Sequence, residues 1–524
     1  MAVVKRLWVI APPGFPLGEG GLFVLFSQTI LGNAFALPAE VTYGGVTIPF
    51  AYPPAAFYFA AAVAKISGSD LFNVYYWLPI ALNLLAVPAF CFLAAQLTRD
   101  RIVFLCASIL YVQLPESFIW QITGGGLPRS LAALFALLAV GLALRAATSR
   151  SKKELLLSGL CIGLAILSHL EWGMFAAVGV TLAFLTSVNF KKAVLLTAST
   201  GVISFLVILP WLVAVLVGHG ADPFLSSSSA SAWNLGSFLS TAIRSRMFGI
   251  LVWPAILGAI ITTSRRQWFL VSWIIMAVLL TPRMGVSAGY GIPASLLAGY
   301  GFKALGEFAY GMLASGRISP AMKARLAERP WFAAGTLALA PLLFFSFIYA
   351  TPIPALYHRP VIVEQVGEGS REAMRWIRER TDPRGRFVVI SGAEEWYLDR
   401  VAEWFPFLAG RSSLTTAQGL EWAGPGVFAE KTREITGFKL AQAGAPELMA
   451  AFVRERYCAA SYVALFVAPD AAERQSFLAS GSFHPVFANQ EAAVFRRRPT
   501  GAICVPAAPS RGQLNGSPRN LETS

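Results

Sequence analysis

A few acids and cations set in apolar sequence are the residues best suited to chemistry. Of the 28 Asp and Glu residues, only 10 lie in the first 358 positions, and an acid in such sequence needs a functional or structural reason. Glu19 lies in a glycine-rich loop, where Gly18 and Gly20 let the backbone and a ligand approach closely. A carboxylate here can accept a proton from a hydroxyl group or bind a divalent cation; otherwise it is a solvated loop acid. We expect Glu19 to be catalytic.

Glu116 is a second candidate carboxylate, at the end of one apolar run. Three consecutive glycines, 124–126, follow it, and Arg129 begins the next apolar run. The planar guanidinium of Arg129 can bind a ligand phosphate, or it can extend to lipid head groups. Arg283, at the end of a later apolar run, has the same two interpretations. We expect Glu116 to act in catalysis or to form a structural ion pair, and both arginines to bind substrate.

His169 and Glu171 interrupt the apolar stretch 155–187. Both ends of this stretch adjoin basic residues, so two short antiparallel helices with a turn at 168–171 satisfy the pattern. Ionisable groups at membrane depth mark functional sites, although at a turn they can also bond backbone groups. We expect both residues to bind substrate.

Two pairs of an acid and an aromatic residue occur in predicted loops further along the chain, at 403–404 and 421–422. Such pairs can stack on sugar rings and bind hydroxyl groups, or they can pack against a membrane domain. We expect Glu403 and Trp404 to contribute to substrate binding. The sequence has no P-loop, GxSxG or HExxH motif, which argues against an ATPase, a serine hydrolase and a zinc protease.

Membrane-spanning helices must position these residues. The chain is 56% hydrophobic and 13% charged, which excludes a soluble globular protein. Spans are predicted at 71–97, 102–120, 127–146, 193–217, 248–263, 268–281, 292–313 and 331–350. The broken stretch 155–187 adds two half-spanning helices, for about ten in all. Segments 20–38 and 48–67 are predicted to lie at the membrane interface.

Basic residues predict the orientation of these helices. The connections rich in Lys and Arg are 99–101, 145–153, 191–192, 265–266 and 317–329. The loops poor in these residues are 113–126, 218–240 and 284–291. Under the positive-inside rule the basic connections face the cytoplasm, and the chain from residue 351 onward lies outside. The net charge of +14 therefore reflects membrane topology, and we expect no nucleic-acid partner.

After a membrane part at 1–358, segment 359–498 predicts a small soluble α/β domain. It carries 18 Lys and Arg against 17 Asp and Glu, typical of a soluble surface, and its apolar residues follow helical and strand-like patterns in turn. Residues 499–524 are rich in Pro, Gly, Ser and Asn and are predicted to be disordered. Cys458 and Cys504 are both predicted outside the cytoplasm, where they form a disulfide or remain free thiols.

Together these motifs resemble the multi-pass glycosyltransferases of the GT-C fold, in particular prokaryotic members with a C-terminal exoplasmic domain. The resemblance covers nearly the whole chain and rests on segments 15–23, 48–54, 124–129, 403–406 and 419–422. It implies that an acid in the first outer loop, here Glu19, is catalytic or binds a metal. In that family the first outer loop follows a spanning helix, which residues 1–13 are too short to supply. Either this start lies on the outer face, or such a helix lies upstream of it, and the resemblance favours the second.

The resemblance also implies an activity. It makes the protein a multi-pass enzyme of the plasma (inner) membrane that moves a hexosyl or pentosyl group from a polyprenyl-phosphate donor to a glycan, lipid or protein of the cell envelope. Glu19 and Glu116 would act as base or hold Mg²⁺ or Mn²⁺, and Tyr52 would bind substrate. Arg129 or Arg283 would stabilise the departing phosphate.

Two other classes remain open at this point. A secondary transporter or a flippase of lipid-linked glycans would also be polytopic, although transporters place coupling acids near the membrane midplane, often in repeated halves. A protein of this fold could also serve only as an assembly partner. We expect membrane lipid, a polyprenyl-phosphate sugar donor and an acceptor as partners. Use of the donor and the acceptor would distinguish the enzyme from these two alternatives.

Overall fold

The chain folds into two units in this computed structural model. The structure describes residues 14–114, 117–230, 248–284, 289–316, 319, 324, 327–350 and 363–499. The first unit comprises Met1–Val366 and Ala417–Thr432, and the second comprises Gly367–Thr416 and Arg433–Ser524. The segment Ala417–Thr432, which lies within the predicted soluble domain 359–498, belongs to the first unit. The reason is the indole of Trp422, which is buried among apolar residues of that unit.

Helices make up most of the first unit, as its apolar runs predict. They are α1 (Gly21–Gly32), α2 (Ala55–Ser67), α3 (Leu71–Leu97), α4 (Arg101–Gln113), α5 (Leu127–Ser149), α6 (Lys152–Ser168), α7 (Leu170–Ser187), α8 (Phe190–His219), α9 (Asp222–Ala230), α10 (Phe248–Ser264), α11 (Phe269–Met284), α12 (Gly291–Ser315) and α13 (Pro330–Ala350). Among the described residues, four helices are long and apolar enough to cross a membrane: Leu71–Leu97, Gly124–Ser149, Leu170–Ser187 and Phe190–His219.

Two details of these helices differ from the sequence prediction. The run predicted to span at 102–120 forms only the 13-residue helix α4, because Pro115 follows its end and a proline is incompatible with continuing the helix. The stretch predicted as two half-spans does break at His169, but the second helix, α7, has the length of a full span. The sequence therefore predicted the position of the break correctly but underestimated the length of α7.

A small hairpin that the sequence did not predict follows α1. Strands β1 (Glu40–Tyr43) and β2 (Val46–Pro49) pair antiparallel around Gly44 and Gly45, whose φ angles are +63° and +85°. Two consecutive residues with positive φ form the tight turn that suits a two-residue hairpin, and glycine adopts it without strain. The hairpin carries the chain to Tyr52, ahead of α2.

Glycines let the helices of the first unit approach closely. A Cβ atom at Gly258 in α10 would overlap the carbonyl oxygen of Leu297, and one at Gly301 in α12 would overlap that of Pro254. Small residues at such crossings bring the backbones into van der Waals contact. Within a membrane the hydrophobic effect does not drive helices together, so they associate through close packing of this kind.

The second unit has an α/β architecture. Its helices are α14 (Glu368–Arg380), α15 (Arg400–Ala409), α16 (Val427–Gly444, which begins in the first unit), α17 (Met449–Arg456) and α18 (Ala472–Ala479). Its strands are β3 (Arg386–Ser391), β4 (Ser412–Ser413), β5 (Tyr462–Phe466), β6 (Phe483–Ala488) and β7 (Ala493–Arg497), in the order β4-β3-β5-β7-β6. Strands β4, β3 and β5 are parallel, and β7 is antiparallel to both β5 and β6.

Glu403 and Trp404 lie in this unit in helix α15, not in the loop that the sequence predicted. Their side chains are buried, with 3% and 0% of their surface exposed. The helix forms because the side chain of Asp399 accepts a hydrogen bond from the Ala402 amide and caps it. Pro406 does not prevent the helix although it lies inside it.

We predict that Gly258→Ala destabilises the first unit. The added methyl group meets backbone atoms that cannot rotate away, and overpacking of this kind costs about 1–3 kcal/mol. The matched control is Gly311→Ala in α12, where a Cβ atom would meet nothing within 4 Å. In thermal unfolding in lipid nanodiscs, the midpoint of Gly258→Ala should be lower than that of wild type. The midpoint of Gly311→Ala should equal that of wild type. Equal midpoints would contradict the packing described here.

Candidate functional site

The loop that carries Glu19 is held by backbone hydrogen bonds to two distant segments. The Gly124 amide donates to the Leu17 carbonyl (2.8 Å) and the Gly125 amide donates to the Glu19 carbonyl (2.6 Å). On the other side, the Gly18 amide donates to the Glu364 carbonyl (2.8 Å). The loop conformation is therefore fixed by main-chain contacts within the first unit and does not depend on the Glu19 side chain.

The glycine run is what permits this close approach. A Cβ atom at Gly125 would lie 2.5 Å from Cγ of Glu19, and one at Gly124 would lie 2.8 Å from the Glu19 carbonyl oxygen. The run forms a short 3₁₀ helix, Gly124–Gly126, which leads directly into α5. The sequence predicted that these glycines free the backbone, and the structure shows that they make room for Glu19.

Arg129 lies in the first turn of α5 and pairs with Glu19. Its Nη1 donates a hydrogen bond to Oε1 of Glu19 at 3.3 Å, and its guanidinium stacks over the Trp120 ring at 5.5 Å. A cation at a helix N-terminus opposes the helix dipole, so the carboxylate offsets an unfavourable position. The two residues are 110 positions apart, yet they form the charged centre of the site.

Tyr52 lies in the middle of the group. Its ring centroid is 6.4 Å from His169 and 5.7 Å from Trp422, both in edge-to-face geometry. Arg129, Glu171, Glu19 and Glu421 all act electrostatically on its hydroxyl, and burial raises the pKa of Tyr52 well above its usual value. The hydroxyl therefore stays protonated and can donate a hydrogen bond.

His169 occupies the break between α6 and α7. Its backbone amide and carbonyl complete the two helix ends, bonding Ala165 and Gly173, while its imidazole is buried with only 8% of the residue exposed. Its Nδ1 lies 3.9 Å from Oε2 of Glu171, too far for a hydrogen bond, and has no partner among the described residues. A buried polar atom left in this state is a place for a ligand to bind.

Glu421 joins this site from the segment Ala417–Thr432. The amide of Gly419 donates to its Oε2 (2.7 Å), and burial, together with the negative charge of Glu19, raises the pKa of the Glu421 carboxyl from 4.5 to about 7. The sequence noted the acid and the tryptophan beside it but did not include Glu421 among the site residues. The usable signal was the 421–422 pair itself, which lies two residues after Gly419.

The remaining predicted residues are distributed as follows. Glu116 lies outside the described residues, and Arg283 belongs to α11 with its side chain outside the described part. Glu403 and Trp404 belong to the second unit. The structure thus brings together Glu19, Tyr52, Arg129, His169 and Glu171, and adds Glu421 and Trp422.

The assembled group contains three acids, one arginine, one histidine, one tyrosine and one tryptophan. A carboxylate next to an arginine can receive a proton while the cation stabilises an anion that forms nearby. Aromatic rings and a neutral tyrosine hydroxyl can hold an uncharged ligand beside them. This is a composition suited to breaking a bond to phosphate.

Comparison with known proteins identifies the fold. No protein-family model and no curated protein matches the sequence. The archaeal oligosaccharyltransferase AglB from Archaeoglobus fulgidus, in complex with an inhibitory peptide and a dolichol-phosphate, aligns over 91% of this chain and 69% of its own, with a TM-score of 0.56 and 13% identity. ArnT from Cupriavidus metallidurans bound to undecaprenyl phosphate aligns over 97% of both chains, with a TM-score of 0.52 and 12% identity.

The chain has the GT-C glycosyltransferase fold. The Archaeoglobus fulgidus oligosaccharyltransferase in complex with Zn and sulfate is similar to the same degree, at a TM-score of 0.54 and 14% identity over 89% of this chain and 68% of that one. The resemblance to the GT-C fold that the sequence motifs carry is thereby confirmed. At these identities the likeness extends to the fold of the GT-C proteins, and the chemistry must be argued from the residues of this chain.

We predict a pH-dependent stability that Glu421 causes. Because its pKa is raised from 4.5 to about 7 in the folded protein, folding favours the protonated form. The contribution of Glu421 to the free energy of unfolding is therefore greatest below about pH 4.5 and is lost as the pH rises through about 7. Glu421→Gln should raise the melting midpoint relative to wild type at pH 8 and leave it unchanged at pH 4.

The control is Glu430→Gln, an exposed acid of the same segment. Its midpoint should follow that of wild type at every pH. A Glu421→Gln midpoint that also follows wild type from pH 4 to pH 8 would show that the Glu421 carboxyl is not desolvated.

Proposed function

We propose that this protein is an integral membrane glycosyltransferase that moves a sugar from a polyprenyl-phosphate donor to an acceptor on the outer face of the membrane. The observation that carries the proposal is the Glu19–Arg129 pair seated on the glycine run. It is supported by the fold, which the chain shares with an AglB structure that holds dolichol-phosphate and an ArnT structure that holds undecaprenyl phosphate. The transferred group is a hexosyl or pentosyl unit.

Glu19 acts as the general base. It takes the proton from the acceptor hydroxyl while the oxygen of that hydroxyl attacks the anomeric carbon of the sugar. The bond between this carbon and the phosphate oxygen breaks, and the electron pair leaves with the lipid phosphate. Arg129 stabilises the departing phosphate through its guanidinium.

Binding of the donor prepares this step. In the structure Arg129 is paired with Glu19 at 3.3 Å. A donor phosphate competes for the same guanidinium and so releases the carboxylate to act as a base. The pair thus couples donor binding to the formation of the active base.

The sugar is held by the residues around Tyr52. The protonated Tyr52 hydroxyl donates a hydrogen bond, and the unpartnered imidazole of His169 and the carboxyl of Glu171 bond further sugar hydroxyls. Arg283 is proposed to assist at the phosphate. Glu403 and Trp404 keep the substrate-binding role predicted from the sequence, to be tested by substitution.

The described residues do not by themselves assemble a metal centre. Nowhere in the described part do three His, Cys, Asp or Glu side chains come together in a group that could hold an ion, and the carboxylate of Glu19 already faces a cation. Glu116, the second expected Mg²⁺ or Mn²⁺ ligand, is outside that part. No step above is routed through a metal, and the role of Mg²⁺ or Mn²⁺ is a question for the assay below.

The proposed topology has about ten spanning or half-spanning helices in the plasma (inner) membrane, with the second unit on the exoplasmic side. The basic connections 145–153 and 191–192 flank the α6–α7 pair and favour this orientation. Cys458 in the second unit is disulfide-bonded, which is typical of an oxidising compartment outside the cytoplasm.

We predict that Glu19→Gln abolishes transfer and leaves the fold intact. Gln keeps the shape of the side chain and can still accept from Arg129, but it cannot take a proton. Loss of a general base lowers the rate by about 10²–10⁴-fold. The assay measures consumption of a panel of polyprenyl-phosphate sugars by mass spectrometry, in nanodiscs with cell-envelope extract as acceptor, with EDTA or with added Mn²⁺.

The control is Glu40→Gln, at an exposed acid in strand β1. It should consume donor at the wild-type rate. Turnover by Glu19→Gln would remove Glu19 from the chemistry. No consumption of any donor by wild type would favour a transporter, a flippase or an inactive assembly partner.

A further inference from the structure

Asn83 is a buried carboxamide in the middle of the apolar helix α3, and none of its surface is exposed. Its Nδ2 donates to the carbonyl of Ser117 (2.8 Å) and to Oε1 of Gln121 (2.5 Å). A polar side chain inside a membrane helix is costly unless it is bonded, and it marks a functional or structural requirement. These bonds tie α3 to the segment that leads into the glycine run 124–126.

Helix α5 holds the backbone of this segment. Oγ of Ser130, the residue after Arg129, donates to the carbonyl of Gln121 at 2.6 Å. A Cβ atom at Gly126 would lie 2.5 Å from the same carbonyl oxygen, so the segment packs directly against the start of α5. Gln121 is therefore bonded to α3 through its side chain and to α5 through its backbone, and Trp120 precedes it in the chain.

Trp120 supports the guanidinium of Arg129. The guanidinium carbon lies over the indole ring, 5.5 Å from its centroid. The Arg129 side chain is 29% exposed, and the one hydrogen bond that its guanidinium makes among the described residues is the 3.3 Å bond to Glu19. An arginine has five N–H donors. The others remain available for a phosphate.

The indole ring matters most when the ion pair opens. In the function proposed above, a donor phosphate takes the place of Glu19 at the guanidinium. The hydrogen bond that orients Arg129 in the structure is then lost, whereas the cation–π contact with Trp120 is compatible with both states. The position of the ring therefore determines where the guanidinium lies when it receives the phosphate.

Apolar packing joins α3 to the same region but does not replace the carboxamide. One buried cluster contains residues of α3, of the Glu19 loop and of the segment after α4, namely Leu17, Tyr76, Ile80, Phe118, Ile122 and Val363. Apolar contacts have no preferred direction, whereas hydrogen bonds require a defined distance and angle. The two bonds from Asn83 therefore fix the segment in place, and the apolar cluster supplies bulk contact.

We propose that Asn83 is a positioning residue for the donor-phosphate site. Through Gln121 and Trp120 it holds the guanidinium of Arg129 where the phosphate of the lipid-linked donor binds. The inference rests on the proposed function, which assigns the phosphate to Arg129. Phosphate binding can nevertheless be measured without turnover.

The test is a double-mutant cycle of Asn83→Leu and Arg129→Ala in the full-length protein in nanodiscs, with a short-chain polyprenyl phosphate as the ligand. Leu has the branching of Asn and no donor. Asn83→Leu alone should weaken binding about fivefold to thirtyfold, the effect of losing a well-placed cation–π contact. In the Arg129→Ala background it should have no further effect, because the group that it positions is absent.

Two other substitutions test the same connection if Asn83→Leu unfolds the protein. Gln121→Met removes the acceptor of the Asn83 bond and keeps the backbone carbonyl that Ser130 binds, so it should weaken phosphate binding in the same direction. Trp120→Leu should do so as well. Trp120→Phe, which keeps an aromatic face under the guanidinium, should restore most of the affinity.

The control is Ser158→Ala, which removes another buried hydrogen bond of the first unit, from Oγ to the carbonyl of Ala139 (2.9 Å). It should lower the melting midpoint and leave the affinity for polyprenyl phosphate unchanged. A loss of affinity in this variant equal to that in Asn83→Leu would show a general effect of destabilisation and overturn the positioning role.

The remaining outcomes separate this role from the transferase. An equal loss from Asn83→Leu with and without Arg129 overturns the positioning role. So does wild-type affinity in Asn83→Leu, and donor consumption by the wild-type protein then leaves the transferase standing. Affinity that Arg129→Ala leaves unchanged overturns the role of both residues at the phosphate. Coupling of Asn83 to Arg129 without consumption of any donor supports the positioning role and refutes the transferase.

Discussion

The ion pair between Glu19 and Arg129 is the interaction on which the site in the first unit depends. Both side chains are more than two-thirds buried in a unit made almost entirely of apolar helices, and a charge taken out of water is costly unless it is paired. Each partner is useful chemically because it is charged, and each is tolerated because of the other. The glycine run lets the loop and the start of α5 come close enough for the pair to form.

The number of acids around that single arginine sets the character of the site. Glu19 and Glu171 both act on Arg129, and Glu19 also acts on Glu421. One cation cannot neutralise three carboxylates, and burial together with the charge of Glu19 raises the pKa of the Glu421 carboxyl to about 7, which favours its protonated form. Such a site contains a charged carboxylate and a protonated carboxyl. The first can accept a proton, and the second can donate a hydrogen bond to a hydroxyl group.

The sequence predicted the parts of this site that have local signals. Glu19 stood out because it is an acid among glycines, and His169 and Glu171 stood out because they interrupt an apolar stretch. Their assembly around Tyr52 could not be predicted, since it depends on a hairpin of two four-residue strands whose pattern is too short to recognise.

Glu421 shows a different limit of sequence reasoning. The sequence predicts that the residues around Glu421 belong to a soluble domain, because segment 359–498 carries nearly equal numbers of basic and acidic residues. Only tertiary packing, through Trp422 and the close approach at Gly419, returns this segment to the first unit. The pair at 403–404 has the same composition, yet it lies in helix α15 of the second unit. Composition therefore indicated two equivalent pairs, and burial distinguished them.

The second unit also contains a buried polar cluster, and comparing it with the site in the first unit supports placing the chemistry in the first unit. Nζ of Lys439 lies 2.6 Å from Oδ2 of Asp399 and 3.0 Å from Oγ of Ser391, at the end of strand β3. Serine next to lysine resembles a nucleophile with its base, but Nζ of this lysine donates hydrogen bonds to both the serine hydroxyl and the buried Asp399 carboxylate, so it does not act as an acceptor for the serine proton. The aspartate also accepts from the serine hydroxyl, so the three groups satisfy one another. The cluster closes on itself, whereas the site around Tyr52 leaves buried polar atoms open, and that difference in hydrogen bonding is what separates a structural network from a place where a ligand binds.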